Sequence, residues 1–217
     1  MWCSISGKGR DYMTRYRIIK ELLKRLDDSD VAIFAGKTLC EEAYVNDREG
    51  NFYIPDTHSI ILSFSLGLAM CTDKRVFVFT TDSEFLRDIG SATQMAVSEC
   101  KNIFYFVFSS GMYRESGKHP NIFRSMAHPQ GVFFRMGFVS FTFDSYFESS
   151  ERMSELKDVM DTMLGPVSII LEVNTKRGNN KSLDQDTLFF LNRLYKFIED
   201  NNTAMFEPPP LENMFES

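Results

Sequence analysis

Five short runs of β-branched and aromatic residues constrain this chain more than any other feature: Val31-Ala-Ile-Phe-Ala35, Arg75-Val-Phe-Val-Phe79, Asn102-Ile-Phe-Tyr-Phe-Val-Phe108, Phe138-Val-Ser-Phe-Thr-Phe143 and Pro166-Val-Ser-Ile-Ile-Leu-Glu-Val173. Each reads as a strand. Most are nearly continuous in apolar residues rather than alternating, as strands covered on both faces must be, and that is the mark of a parallel sheet. The segments between them have helical length and periodicity. Tyr12–Leu26 carries Tyr16, Ile19, Leu22, Leu23 and Leu26 on one face, and Phe85, Ile89, Ala92 and Ala96 repeat the spacing after the second run. Ser150–Leu164, ended by Gly165-Pro166, and Asp184–Glu199 are further expected helices. Alternation of strand and helix predicts an α/β fold, a doubly wound, mainly parallel sheet with helices on both faces. Ligands of such a fold sit beyond the carboxyl ends of its strands.

The chain has 217 residues, 43% of them apolar, which suits one domain over residues 1–201 with a Pro-rich tail, 202–217, containing Glu207-Pro-Pro-Pro-Leu211. A net charge of −6 argues against nucleic acid or an anionic membrane surface as partner. No apolar run approaches the span of a bilayer and the N-terminus carries no secretion-like segment, so a cytoplasmic protein is expected. Cys3, Cys40, Cys71 and Cys100 are too dispersed for a zinc site or disulfide framework.

Four segments carry a more specific signal: Glu42-Ala-Tyr-Val-Asn-Asp-Arg-Glu-Gly-Asn-Phe-Tyr53, Ser63-Phe-Ser-Leu-Gly-Leu-Ala69, Val78-Phe-Thr-Thr-Asp-Ser-Glu-Phe-Leu-Arg-Asp-Ile-Gly90 and Ser109-Ser-Gly-Met-Tyr-Arg-Glu-Ser-Gly117. In this order they resemble the diphosphate-binding domain of thiamine-diphosphate-dependent 2-oxoacid decarboxylases, nearest to phosphonopyruvate decarboxylase and the beta-subunit type of sulfopyruvate decarboxylase. The resemblance runs from Val31 to Val173, about two-thirds of the chain. It implies the thiamine-diphosphate-binding fold, thiamine diphosphate and Mg²⁺ as cofactors, and Asp82 as the metal carboxylate. It also implies Ser110, 110 − 82 = 28 positions later, at the place of the family's metal-binding Asn, with Met112 offering its carbonyl. A diphosphate with Mg²⁺ needs a carboxylate, neutral oxygens and free amides, which is why such positions exist.

The cofactor positions depart from the pattern. Thr81 and Ser83 replace the glycines flanking Asp82, and Asp56 and Ser59 replace glycines of the loop that meets the pyrimidine end. Side chains at such positions obstruct the approach of a ligand, and Asp56 would repel a diphosphate unless Lys118 or metal compensated. Simpler roles remain open for the same residues. Thr81-Asp-Ser-Glu84 fits a capping box, Ser109-Ser-Gly111 an ordinary turn, His58 and His119 solvated or capping side chains, Phe133–Phe147 core or interface packing, and Asp27-Asp-Ser-Asp30 a solvated turn.

The resemblance also implies that the activating glutamate belongs to a pyrimidine-binding domain this chain does not encode. No catalytic residue is therefore expected here, and the chain alone should be inert. Two readings follow. One is the diphosphate-binding subunit of a split 2-oxoacid decarboxylase, a carboxy-lyase when joined by a pyrimidine-domain partner, forming a homo- or hetero-oligomer. The other is a binding or assembly module that keeps the fold without the cofactor. The decarboxylase reading expects Asp82 at the carboxyl end of a central strand and Ser110 at the end of a neighbouring one, with their side chains converging.

Overall fold

The computed structural model describes residues 14–56, 60–113, 119–125, 128–143, 150–173 and 178–200. His58, Ser59, Lys118, residues 144–147 of the Phe-rich stretch, most of the 109–117 loop beyond Tyr113, and the tail 202–217 lie outside the described residues.

In chain order the elements are α1 (Arg15–Leu23), β1 (Val31–Ala35), α2 (Lys37–Tyr44), β2 (Asn51–Ile54), α3 (Ile61–Met70), β3 (Val76–Thr81), α4 (Asp82–Arg87), α5 (Ile89–Val97), β4 (Ile103–Ser109), β5 (Met112–Tyr113), β6 (His119–Pro120), a 3₁₀ turn (Ile122–Ser125), α6 (Pro129–Met136), β7 (Val139–Phe143), α7 (Ser150–Thr162), β8 (Val167–Glu172) and α8 (Thr187–Asp200). Six strands form one parallel sheet in the order β2-β1-β3-β4-β8-β7. All five apolar runs became strands of it. The sixth, β2, was visible in the sequence only as part of a motif, because four residues are too few for a periodic signal.

Register explains the phenylalanine content. Tyr53, Phe34, Phe79 and Phe106 are successive partners across β2, β1, β3 and β4. Their rings stack at 5.6 Å for Tyr53 and Phe34 and 4.7 Å for Phe34 and Phe79, and Phe106 lies tilted by 33° against Phe79 at 4.8 Å. Phe77 and Phe104 repeat the stack two residues earlier at 4.9 Å. Strand spacing in a sheet is itself about 4.8 Å, so in-register aromatic side chains meet face to face without adjustment. Tyr44 of α2 and Phe190 of α8 cover this face through Tyr53. On the opposite face Phe64 of α3 packs on Phe52, and Phe133 of α6 on Tyr105.

Two expectations are corrected. The single helix through Phe85 and Ala96 is two helices, because Asp88 (φ −127°, ψ 39°) leaves the helical region. Phe85 is fully buried, 4.4 Å from the ring of Phe133, whereas Ile89 is 44% exposed. Four residues apart in one continuous helix, the two would have shared a face. The second concerns Asp27–Asp30. The segment is a turn, but Asp30 is buried and accepts hydrogen bonds from Arg75 Nε at 2.9 Å, Arg75 Nη2 at 2.7 Å and the Asp27 N–H at 2.7 Å. Arg75 stands at the entry to β3 and is also paired with Asp27 at 2.8 Å. A partner 45 residues away made the carboxylate buriable.

The chain runs from β1 outward to β2 and then returns to the far side of β1 as β3. The strand order therefore reverses between β1 and β3, which opens a crevice at their carboxyl ends. Among the described residues no helix is long and apolar enough to cross a membrane.

Candidate metal and cofactor site at the ends of β3 and β4

β3 ends at Thr81, whose backbone is extended, and the next residue, Asp82, opens the six-residue α4. The switch from strand to helix at one residue places Asp82 at the carboxyl end of a central strand, beside the crevice. Thr81 Oγ1 caps the helix by accepting the Glu84 N–H at 3.4 Å and shares a hydrogen bond of 2.9 Å with Ser83 Oγ. The N-cap half of the capping box read from the sequence is therefore present, while Glu84 Oε1 accepts from Arg87 Nη1 at 2.8 Å.

β4 is the direct neighbour of β3 and ends at Ser109, in register with the end of β3 (Thr81 opposite Phe108). The loop that follows turns back onto Asp82. Asp82 Oδ2 accepts the backbone N–H of Ser110 at 2.9 Å and that of Gly111 at 2.6 Å. Gly111 has φ +66°, a conformation that glycine adopts freely and that aims its N–H at the carboxylate. Its carbonyl accepts the Asn121 N–H at 3.0 Å. Between these two points Met112 and Tyr113 pair antiparallel with Pro120 and His119. That short hairpin returns Asn121 to the base of the loop it left ten residues earlier.

Asp82 is fully buried, and its second oxygen, Oδ1, has no hydrogen-bond partner among the described residues. Asn121 is 3% exposed, and neither its Nδ2 nor its Oδ1 completes a hydrogen bond. Burial pushes the Asp82 carboxyl above the usual carboxylate range. The adjacent Asn121 amide and the N–H groups of Gly111, Ser110 and Ser83 oppose the shift. The site is thus a buried carboxylate held on one oxygen by backbone amides, with an unengaged oxygen and an unengaged amide side by side.

Thr81, Asp82, Ser83, Ser110 and Met112 come together here. Asp82 and Ser110 do converge, though through the Ser110 backbone rather than its side chain: Ser110 Oγ donates to the Met112 carbonyl at 3.4 Å. Asp56 is exposed just beyond β2. It is on the same edge of the sheet as Asp82 but two strand positions away, roughly 10 Å. Asn121 is the residue that sequence reasoning missed. Nothing in Lys118-His-Pro-Asn121 marks it, since its place depends on the hairpin. His119 is exposed, as expected. Among the described residues no cluster of three His, Cys, Asp or Glu side chains could hold a metal, so a metal here depends on neutral oxygens as well.

No protein-family model matches the chain. It is 31% identical over 113 residues to sulfopyruvate decarboxylase of Methanosarcina acetivorans, covering 52% of this chain and 29% of that protein. It is 28% identical over 107 residues to sulfopyruvate decarboxylase subunit beta of Methanocaldococcus jannaschii, covering 49% and 57%. Phosphonopyruvate decarboxylase of Streptomyces viridochromogenes is 26% identical over 112 residues, covering 51% and 28%. The matches therefore span little more than half of these relatives' lengths at most. Among solved structures, a Mycobacterium smegmatis protein assigned as a thiamin diphosphate-dependent enzyme superposes with a TM-score of 0.56 at 17% identity, covering 74% of this chain and 31% of that one. Benzoylformate decarboxylase of Polynucleobacter necessarius does so at 0.60 and 12% identity, covering 81% and 36%. The chain has the α/β fold of these enzymes, and its sequence is similar to sulfopyruvate and phosphonopyruvate decarboxylases, as the four segments implied.

Proposed function

We propose that this chain is the diphosphate-and-metal half of a split thiamine-diphosphate-dependent decarboxylase acting on a 2-oxoacid with an anionic tail, completed by a separate pyrimidine-binding subunit. The observation that carries the proposal is the buried Asp82 at the end of β3 with one oxygen unengaged, beside the crevice where the strand order reverses. Similarity to a subunit named beta supports a second polypeptide. The exposed Leu188, Phe189, Leu191 and Tyr195 of α8 support a face that another chain covers.

The reaction converts a 2-oxoacid and a proton to an aldehyde and carbon dioxide. Thiamine diphosphate, when bound, supplies the electron sink for that loss. The part of this chain is to hold. Asp82 and the Met112 carbonyl would hold the cation, with Ser110 beside them, and Thr81 and Ser83 would border the diphosphate. Asp56 and Ser59 belong to the loop toward the pyrimidine end. The donor set fits a hard divalent cation, for which a carboxylate, carbonyls and waters are preferred.

One observation favours the non-catalytic reading instead. The first-turn groups of α4 are already engaged, Glu84 N–H by Thr81 Oγ1 and the Thr81 and Ser83 hydroxyls by each other, which leaves less for a diphosphate. The deciding experiment is co-expression with the pyrimidine-domain protein encoded nearest to this chain, then assay of carbon dioxide release from sulfopyruvate and phosphonopyruvate with thiamine diphosphate and Mg²⁺. Release that requires both chains is expected. Complex formation with neither release nor cofactor binding would replace this reading by the assembly module.

A further inference from the structure

Three buried polar atoms without partners sit at one place, Asp82 Oδ1, Asn121 Oδ1 and Asn121 Nδ2. Buried polar groups in folded proteins are nearly always satisfied, and a group that is not calls for an explanation such as a bound ion. Hydrogen bonding among the described residues does not supply one. The other Asp82 oxygen already takes two backbone N–H groups, so the orphan oxygen is not short of local donors because the loop is remote. The loop is closed over it, through Asn121 N–H to the Gly111 carbonyl and through the β5–β6 pairing.

From this geometry we propose that Asn121, rather than Ser110, provides the neutral side-chain oxygen of a divalent-cation site whose carboxylate is Asp82. The inference deepens the proposed function and rests on it only for the choice of a Mg²⁺-like ion. Ser110 is a poor ligand here because its hydroxyl is turned to the Met112 carbonyl. Asn121 has the opposite properties. Its backbone is fixed at the loop base while its amide lies against the Asp82 carboxylate and, among the described residues, has no partner elsewhere, so its oxygen can turn to a cation at Asp82 without breaking another contact. The carboxamide lost at position 110 is thus regained from a position 11 residues further on, brought to the same spot by the hairpin rather than by spacing from Asp82. With Asp82 Oδ1 and Asn121 Oδ1 as side-chain ligands, waters and a loop carbonyl fill the remaining positions that an octahedral ion requires.

The test uses the full chain and Mn²⁺ alone, followed by titration calorimetry, by the loss of the free-ion spin resonance signal, and by thermal unfolding with and without the ion. The wild type is expected to bind Mn²⁺. Asn121→Ala is expected to weaken binding at least about tenfold, equivalent to about 1.4 kcal/mol, and Ser110→Ala by less than about threefold, under 0.7 kcal/mol. Should Asn121→Ala fail to fold, Asn121→Asp decides the matter. A second carboxylate beside Asp82 repels without a cation and binds better with one, so its unfolding temperature must rise more on adding Mn²⁺ than that of the wild type. Equal Mn²⁺ affinity for wild type and Asn121→Ala, loss in Ser110→Ala instead, absence of binding by the wild type at millimolar Mn²⁺, or no greater rescue of Asn121→Asp would each overturn the inference. These outcomes are separable from failure of the decarboxylase reading. Asn121-dependent binding of Mn²⁺ with no cofactor binding or turnover leaves the cation site standing, and turnover that depends on Ser110 but not Asn121 leaves the decarboxylase standing.

Discussion

The Gly111 backbone N–H donates to Asp82 Oδ2 at 2.6 Å, joining the loop after β4 to the first residue after β3. This bond and its companion from Ser110 determine which Asp82 oxygen faces the loop and which is left for a ligand. Gly111 can make it because its φ is +66°. Gly111→Ala should therefore lower stability by about 1–2 kcal/mol, the cost of holding an L residue in the left-handed region. The same change should weaken any Mn²⁺ bound at Asp82, since relaxation of the backbone would release the loop. Chemical denaturation and Mn²⁺ titration of the one variant check both; an unchanged midpoint would mean that the loop tolerates a different backbone.

Arg75 is the principal partner of the buried Asp30 carboxylate. Arg75→Ala should cost about 1–3 kcal/mol, because a buried charged acceptor then keeps only the Asp27 N–H. The double variant Arg75→Ala with Asp30→Asn should recover part of that loss, since no charge is left stranded. Urea unfolding of the three proteins measures it, and a double variant no better than the single one would show that packing of the arginine matters more than its charge.

Gly67 lies within α3, and a methyl group added there meets nothing within 4 Å. Gly67→Ala should raise the stability of the isolated chain by about 0.5–1 kcal/mol through the ordinary helix preference for alanine. If a partner chain covers this face, the same substitution should weaken association while stabilising the lone chain. Comparing its melting temperature with its sedimentation in the presence of partner separates the two effects.

Thiamine diphosphate with Mg²⁺ should bind the isolated wild-type chain weakly or not at all, as Thr81 and Ser83 occupy the flanks of Asp82. Replacing both by glycine should strengthen binding, each tenfold gain corresponding to about 1.4 kcal/mol. Loss of the Thr81 cap should cost only a few tenths of a kcal/mol, because glycine is tolerated at that position. Calorimetry of both proteins decides it. Tight binding by the wild type would mean that the side chains do not obstruct, and binding by neither would mean that the pocket is closed.

Sequence alone determined the sheet. Continuous apolar runs such as Ile103–Phe108 must be buried on both faces, and only a parallel sheet between helix layers buries them, so their order gave the fold before any coordinate. It also placed Asp82 at the junction of strand and helix, because strand end, cap and helix start are consecutive in the chain. What tertiary structure decided were the relationships between residues distant in sequence. Asp30 reads as solvated until Arg75 arrives from 45 positions away. Phe85 and Ile89 read as one helical face until the bend at Asp88 separates them. Asn121 carries no local signal; it reaches Asp82 only because the β5–β6 hairpin closes on Gly111. Periodicity and caps are set by neighbours a few residues apart, whereas burial of a charge or an amide is set by whichever chain segment folds over it.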